Sequence, residues 1–213
     1  MIVLDVGTTG IKAFVFDGRS RVCAKAYRRL KKIRPQKGWV EQSPNEILRV
    51  SKTVLRQVLG DSGVKPSQIK GMGITNQRES TIVWDKKTGK PVYPMIGWED
   101  VRTRGFCARV RRVFAKEIRE RTGLVVDAYF SASKVRWILD HTQKRNVLFG
   151  TVDTWLLWNL CAGRPHVTDE TNAARTLLFD IQDFNWSDRL LQIFGIPRGI
   201  LPTVLPSRGE FGM

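Results

Sequence analysis

Residues 1–18, MIVLDVGTTGIKAFVFDG, decide the fold class of this chain. Two apolar runs, at 2–6 and 12–16, stand on either side of a Gly-Thr-Thr-Gly corner at 7–10. Short runs that are bounded by glycine-rich turns predict two β-strands joined as a hairpin. The tip of such a hairpin exposes backbone N–H groups and two hydroxyl groups. It is therefore a candidate site for a phosphate group.

The rest of the chain alternates between strand and helix patterns. Residues 43–46, Ser-Pro-Asn-Glu, form a capping-box sequence with proline at the first helical position, and apolar residues then recur at helical spacing up to Leu59. Further strands are predicted at 22–30, 69–74, 81–84 and 92–96, and further helices near 101–121, 132–141, 152–161 and 187–194. A DKKTGK turn joins the last two strands as a hairpin. This order predicts an α/β domain with a mixed β-sheet flanked by helices, in which ligands bind at strand ends.

Length and composition exclude several classes of protein. The 213 residues are 42% hydrophobic and 26% charged, which is typical of a globular chain. No apolar run is long enough to span a membrane, and Asp5 interrupts the apolar N-terminus where a signal peptide would not carry a charge, so we expect a cytoplasmic location. The three cysteines are far apart and odd in number, which predicts neither a disulfide framework nor a metal clip. The two histidines have no partners at metal-ligand spacing.

The formal net charge of +16 raises the question of nucleic-acid binding. The whole excess lies in residues 1–121 and is densest at 19–37 and 102–121. Few aromatic residues are interleaved with these cations, and the stacking motif of an RNA-binding sheet does not occur. The excess of positive charge is therefore better explained by a solvated basic face, or by attraction for phosphorylated ligands, than by binding to nucleic acid.

The segment GITNQRESTIVWD, residues 73–85, places a cation and a carboxylate side by side between two predicted strands. One interpretation of Arg78 and Glu79 is a solvated turn. The other is a site that grips a polar substrate. The two residues alone leave both interpretations open.

Three tryptophans are predicted to pack in the core. Trp155 and Trp158, three residues apart in TWLLWNL, form an apolar helical stripe, and Trp137 has a similar setting. Asp153 and Thr154 belong to the same motif. A contribution to the ligand cleft is left open for them, and we assign them no catalytic role.

The chain resembles the FGGY family of carbohydrate kinases, and within it the glycerol kinase group. Collinear segments carry the resemblance over nearly the whole chain: DVGTTGIKAFVFD, KGWVEQSPNEI, GITNQRESTIVWDKKTGKPVYPMIGWEDVRT, TGLVVDAYFSASKVRWIL, FGTVDTWLLWNL, HVTDETNAARTLLFDI and FGIPRGILP. The resemblance implies the ribonuclease-H-like fold that is shared with actin and hexokinase. It also implies that residues 1–213 are the N-terminal, substrate-binding domain of a longer kinase, truncated before its ATP-binding second domain.

A site for glycerol or a similar small polyol follows from the same resemblance. Arg78, Glu79, Trp98 and Tyr129 match the family residues that line this pocket. Arg78 would donate hydrogen bonds to the substrate oxygens and Glu79 would accept them, each more strongly for being charged. An indole face would cover the carbon atoms.

The resemblance also implies ATP and Mg²⁺ as cofactors. Asp5 matches an aspartate near the magnesium ion, which suits a hard cation held by few carboxylates and by water. Gly7, Thr8, Thr9 and Lys12 match the turn that faces the phosphates. Lys12 replaces the arginine that is typical of glycerol kinases, which keeps the charge but loses the forked donor geometry. In this respect DVGTTGIK is closer to sugar kinases such as xylulokinase.

The general base of the family, an aspartate in a GDQ motif, has no counterpart in residues 1–213. We therefore expect the base to lie beyond Met213 and this chain alone to have little kinase activity, because phosphoryl transfer needs a complete closed cleft. Two other functions stay open: a kinase for another polyol or a ketose such as xylulose, and a non-catalytic binding module. Assembly as a homo-oligomer is also left open.

Overall fold

The computed structural model describes residues 1–213, which form two compact units. Unit 1 consists of Met1–Lys32 and Gln42–Gln77, and unit 2 of Ile33–Glu41 and Arg78–Met213. None of the helices combines the length and the apolar character that a membrane crossing requires.

The strands and helices follow one another in a mixed order. The strands are β1 (Ile2–Val6), β2 (Gly10–Phe16), β3 (Val22–Arg29), β4 (Glu41–Gln42), β5 (Met72–Asn76), β6 (Ile82–Asp85), β7 (Met95–Ile96), β8 (Val147–Gly150), β9 (Val167–Asp169), β10 (Phe179–Asp180), β11 (Asn185–Trp186) and β12 (Thr203–Leu205). The α-helices are α1 (Pro44–Ser62), α2 (Arg104–Thr122), α3 (Ser131–Thr142), α4 (Val152–Leu160), α5 (Glu170–Ala173) and α6 (Asp188–Phe194). Single 3₁₀ turns lie at Pro66–Gln68 and Arg198–Ile200.

Unit 1 is a four-stranded sheet with one long helix packed on it. The strand order is β3-β2-β1-β5, with antiparallel pairing among the first three strands and parallel pairing between β1 and β5. Alternate residues of β1 point to opposite faces, and Ile2, Leu4 and Val6 are buried. Helix α1 packs against β2 and β3, and it begins where Ser43 Oγ accepts a hydrogen bond from the Glu46 N–H at 3.3 Å. The predicted mixed sheet is confirmed.

Unit 2 has its own hydrophobic core. Strands β6 and β8 pair in antiparallel register, and helices α2 and α3 both pack against α6. Trp84 and Trp155 are almost completely buried, with their ring centroids 5.4 Å apart. The predicted core position of Trp155 is thus confirmed, and Trp158 packs against Trp84 as well.

Two predicted strands are partly wrong. The strand predicted from residue 69 begins only at Met72, because Ile69 closes a 3₁₀ turn by donating to the Pro66 carbonyl. The hairpin pairing predicted for 92–96 is present as isolated antiparallel bridges, Thr81 with Ile96 and Trp84 with Pro91. The regular strand is limited to Met95–Ile96, since Pro94 has no N–H group for a strand ladder. The main partner of β6 is β8, a strand that the sequence analysis did not identify.

A substitution at Gly150, the last residue of β8, tests the packing of unit 2. A methyl group at Gly150 would lie 2.5 Å from Thr154 Cβ and 2.9 Å from the Trp84 ring. We therefore expect Gly150→Ala to lower the free energy of unfolding by about 1–3 kcal/mol, the usual cost of overpacking. Gly199→Ala is the matched control because no atom lies within 4 Å of its methyl position. Urea unfolding measures both variants, and equal stability of the two would contradict the packing described.

Candidate polyol site and phosphate-facing turn

The carboxylate of Glu79 is held in the interior of unit 2, in the turn between β5 and β6. The residue is only 4% exposed. Its Oε1 atom accepts a hydrogen bond from Arg175 Nε at 2.7 Å, and its backbone carbonyl accepts one from Ser131 Oγ at 3.1 Å. The solvated-turn interpretation therefore does not describe Glu79, whose charge is paired inside the protein.

The neighbouring Arg78 has the opposite setting. Its side chain is exposed and makes no hydrogen bond or ion pair within the chain. Its five N–H donors are thus available to a ligand or to solvent. The two adjacent charges therefore differ in setting: Glu79 is held by Arg175, whereas Arg78 is held by no partner.

Two aromatic rings accompany this charged pair. The rings of Trp98 and Tyr129 have centroids 5.4 Å apart and are tilted by 59°. The Arg175 guanidinium carbon lies 5.7 Å from the centroid of the Tyr129 ring. Three of the four predicted polyol-site residues, Glu79, Trp98 and Tyr129, are therefore linked through contacts that include Arg175.

Sequence reasoning missed Arg175. It lies within the segment HVTDETNAARTLLFDI, just after the short helix α5, and is separated from Glu79 by 96 residues. No spacing or composition signal distinguishes it from the other arginines of a strongly basic chain. Only the long-range ion pair reveals it.

A buried ionic network holds the loop that carries Trp98. Arg102 Nη2 lies 2.8 Å from a carboxylate oxygen of Glu41 and 2.8 Å from one of Asp100, with the three side chains between 0% and 5% exposed. Asp100 also accepts from the Val40 N–H at 2.6 Å, and the guanidinium lies 3.7 Å from the Trp39 ring centroid. Burial alone would lower the pKa of Arg102, but the hydrogen bonds to both carboxylates outweigh it and raise the pKa.

The loop that carries Tyr129 rests on a buried lysine. Lys134 Nζ donates hydrogen bonds to the carbonyls of Tyr129 at 2.6 Å and Phe130 at 3.1 Å. Its side chain is completely buried, and this burial lowers its pKa from 10.5 to about 7. The position of the Tyr129 backbone is therefore coupled to a lysine that is easily deprotonated.

Asp153 and Thr154 lie at the buried start of α4. Thr151 Oγ and Thr168 Oγ both donate to the Asp153 carboxylate, the second at 2.6 Å. Burial raises the pKa of Asp153 to about 6. These contacts give the carboxylate a structural role in joining α4 to β9.

Unit 1 carries the predicted phosphate-facing residues at the β1–β2 hairpin. Asp5 and Lys12 are direct register partners, with Nζ and Oδ2 3.5 Å apart and both side chains partly exposed. The tip is fixed by its backbone, since the Gly7 N–H donates to the Gly10 carbonyl at 3.1 Å and the Leu30 N–H donates to the Thr9 carbonyl at 3.1 Å.

Glycine is required at residue 10 of this tip. A methyl group there would lie 2.6 Å from the Arg28 carbonyl oxygen and 2.4 Å from the Tyr27 ring. Strand β3 can therefore lie this close to the start of β2 only because residue 10 has no side chain.

The residues at this tip fit one form of magnesium site. No three His, Cys, Asp or Glu side chains of the chain cluster as metal ligands, so an ion held by protein groups alone does not fit. Mg²⁺ commonly keeps several waters and binds one or two carboxylates together with substrate phosphates. The single, partly exposed carboxylate of Asp5 fits that second form.

Comparison with known proteins decides the family. The family model described as the FGGY family of carbohydrate kinases, N-terminal domain, matches residues 1–213. The chain belongs to this family. It is 48% identical over 220 residues to glycerol kinase 2 of Thermotoga maritima, covering 100% of this chain and 44% of that protein. It is 45% identical over 215 residues to the glycerol kinase of Bacillus subtilis, covering 97% of this chain and 43% of that protein.

Solved structures agree with the predicted fold. The crystal structure of Plasmodium falciparum glycerol kinase with ADP matches with a TM-score of 0.92 at 32% identity, covering 100% of this chain and 44% of that one. A xylulose kinase from Rhodospirillum rubrum matches with a TM-score of 0.87 at 23% identity, over 96% of this chain and 42% of that one. The predicted ribonuclease-H-like fold of the actin and hexokinase type is confirmed. The chain spans less than half the length of these relatives.

Removal of Arg102 tests the ionic network. Arg102→Met leaves Glu41 and Asp100 buried without their cation, so we expect the free energy of unfolding to fall by about 3–5 kcal/mol. Lys116→Met is the control, since Lys116 forms only an exposed pair with Glu120 at 3.9 Å and such pairs contribute little. Chemical unfolding measures both variants. If Arg102→Met lowers the free energy of unfolding no more than the control does, the ionic network does not stabilise the protein as described.

The pH dependence of stability tests Lys134. Its pKa is lowered from 10.5 to about 7 on folding, so between these values the unfolded chain binds a proton that the folded chain lacks. The free energy of unfolding must then rise with pH across this window, by at most about 1.4 kcal/mol per pH unit. We expect urea unfolding between pH 7 and pH 10 to show this rise for the wild-type chain relative to Lys134→Met. Parallel pH profiles would mean that Lys134 titrates normally.

Proposed function

We propose that this chain supplies the glycerol-binding part of an ATP-dependent glycerol kinase. The whole protein would transfer the γ-phosphate of ATP to a terminal hydroxyl group of glycerol. The observation that carries the proposal is the buried Glu79 carboxylate, which is linked through Arg175 to the Tyr129 and Trp98 rings. A small polyol needs a few oriented polar groups and an apolar wall, and similarity to glycerol kinases favours glycerol among such ligands.

Each residue of the site has a distinct task in this proposal. Glu79 accepts a hydrogen bond from a substrate hydroxyl through the oxygen that Arg175 does not engage. Arg78 donates to the substrate oxygens, and its exposed side chain is free to turn toward them. The rings of Trp98 and Tyr129 cover the carbon atoms and exclude water. Together these groups would hold one terminal hydroxyl ready for phosphorylation.

The nucleotide side of the reaction belongs to the β1–β2 hairpin. Asp5 would hold Mg²⁺ through its carboxylate, and the backbone and hydroxyl groups of the Gly7, Thr8 and Thr9 turn would face the phosphates, with Lys12 adding a positive charge. Bound Mg²⁺ would neutralise negative charge on the nucleotide phosphates. Because the reaction consumes ATP, we also propose a cytoplasmic location.

A ketose or another polyol is the second candidate substrate. The observation in its favour is the segment DVGTTGIK, in which Lys12 stands where glycerol kinases typically have arginine. A panel of glycerol, xylulose and other small polyols, tested on the whole protein with ATP, separates the two. Glycerol as the preferred substrate supports the first candidate, and preference for a ketose supports the second.

Calorimetry with glycerol tests the site in the 213-residue chain. We expect Glu79→Gln to weaken glycerol binding by about tenfold or more, because a hydrogen bond to a charged acceptor contributes roughly 1.5–3 kcal/mol. Glu117→Gln is the matched control, since Glu117 is a glutamate of the same unit that pairs with Arg189 on the surface. Absence of glycerol binding by the wild-type chain, or equal affinities of the two variants, would overturn the proposal.

A further inference from the structure

We infer that Arg175 is a positioning residue for the polyol site, a role that rests on the proposed function. Its guanidinium engages one oxygen of Glu79 and leaves the other oxygen to accept from the substrate. Arg175 Nε lies 2.7 Å from Glu79 Oε1, and the Oε2 atom makes no hydrogen bond within the chain. An ion pair of this kind fixes the rotamer of the carboxylate and so the direction of its remaining lone pairs.

The same guanidinium also supports the aromatic wall. Its central carbon lies 5.0 Å from the centroid of the Phe130 ring and 5.7 Å from that of the Tyr129 ring. Distances below about 6 Å allow cation–π attraction, which strengthens when the cation is partly desolvated. Arg175 is 28% exposed at its side chain. One side chain thus ties the turn of Glu79 to the loop of Tyr129.

The backbone around Arg175 is itself anchored next to this loop. The Arg175 N–H donates to the Asn172 carbonyl at 3.1 Å, at the end of helix α5. The following carbonyl, of Thr176, accepts from the Ala132 N–H at 2.8 Å, in the first turn of α3. Helix α3 begins directly after Phe130. These hydrogen bonds therefore hold the Arg175 backbone close to the loop that its guanidinium contacts.

Lysine would not reproduce these contacts. The arginine head group is planar, so it can present Nε–H to a carboxylate while its face lies near an aromatic ring. A lysine ammonium would keep the positive charge but would offer neither the planar surface nor the fixed donor direction. The site thus requires arginine at this position for its shape as well as for its charge.

The test is a double-mutant cycle on the 213-residue chain, with glycerol affinity measured by calorimetry. If Arg175 acts through Glu79, Arg175→Gln weakens binding about tenfold in the wild-type background and less than about twofold in the Glu79→Gln background. Arg175→Lys restores only part of the loss. Arg189→Gln is the matched control: Arg189 also pairs with a glutamate, at 2.8 Å, and lies 5.5 Å from a phenylalanine ring, that of Phe114. We expect it to leave glycerol affinity unchanged.

Two binding results would overturn the inference. Equal losses in both backgrounds would mean that Arg175 does not act through Glu79, and no loss would mean that it has no part in the site. A wild-type chain that binds no glycerol contradicts the proposed function instead. In that event the NMR signals of the Tyr129 ring, recorded without ligand, still test the inference. Arg175→Gln should shift them and Arg189→Gln should not, and unshifted Tyr129 signals would refute the positioning role.

Discussion

The pairing of buried carboxylates with arginine is the constraint on which the candidate polyol site depends. A carboxylate without a partner cannot remain charged in an apolar interior at acceptable cost, whereas one that is paired and hydrogen-bonded can. Unit 2 contains two such arrangements, Glu79 with Arg175 and Glu41 with Asp100 and Arg102. Each arginine connects segments that are distant in sequence. The loops that carry the candidate binding groups are therefore located by charge pairing as well as by hydrophobic packing.

The arrangement of unit 1 has a different physical origin. Its hairpin tip is shaped by backbone hydrogen bonds and by the close approach of Gly10 to the neighbouring strand. Asp5 and Lys12 then lie side by side because they are register partners on adjacent strands. A rigid tip with partly exposed charges suits a ligand that brings its own charge and metal ion, as a nucleotide does.

Local patterns predicted much of this molecule, and long-range contacts account for what they missed. The capping sequence at Ser43 and the helical spacing after it placed α1 correctly, and the glycine corner placed the β1–β2 hairpin. The adjacent charges drew attention to Arg78 and Glu79, but only family resemblance assigned them, with Trp98 and Tyr129, to a predicted polyol site. Arg175 and the burial of Lys134 could not be predicted, because each depends on contacts made only after the chain has folded. Strand β8 was missed because four buried apolar residues have no alternating pattern.

A crystal structure of the 213-residue chain grown with glycerol would show whether the candidate binding groups form one polyol site. We expect glycerol with one hydroxyl group within hydrogen-bond distance of the free Glu79 carboxylate oxygen, its carbons against the Trp98 ring, and the Arg175–Glu79 contact intact. Glycerol bound elsewhere, or a Glu79 side chain turned away from Arg175 and from the two rings, would contradict the central claim that these groups form one polyol site.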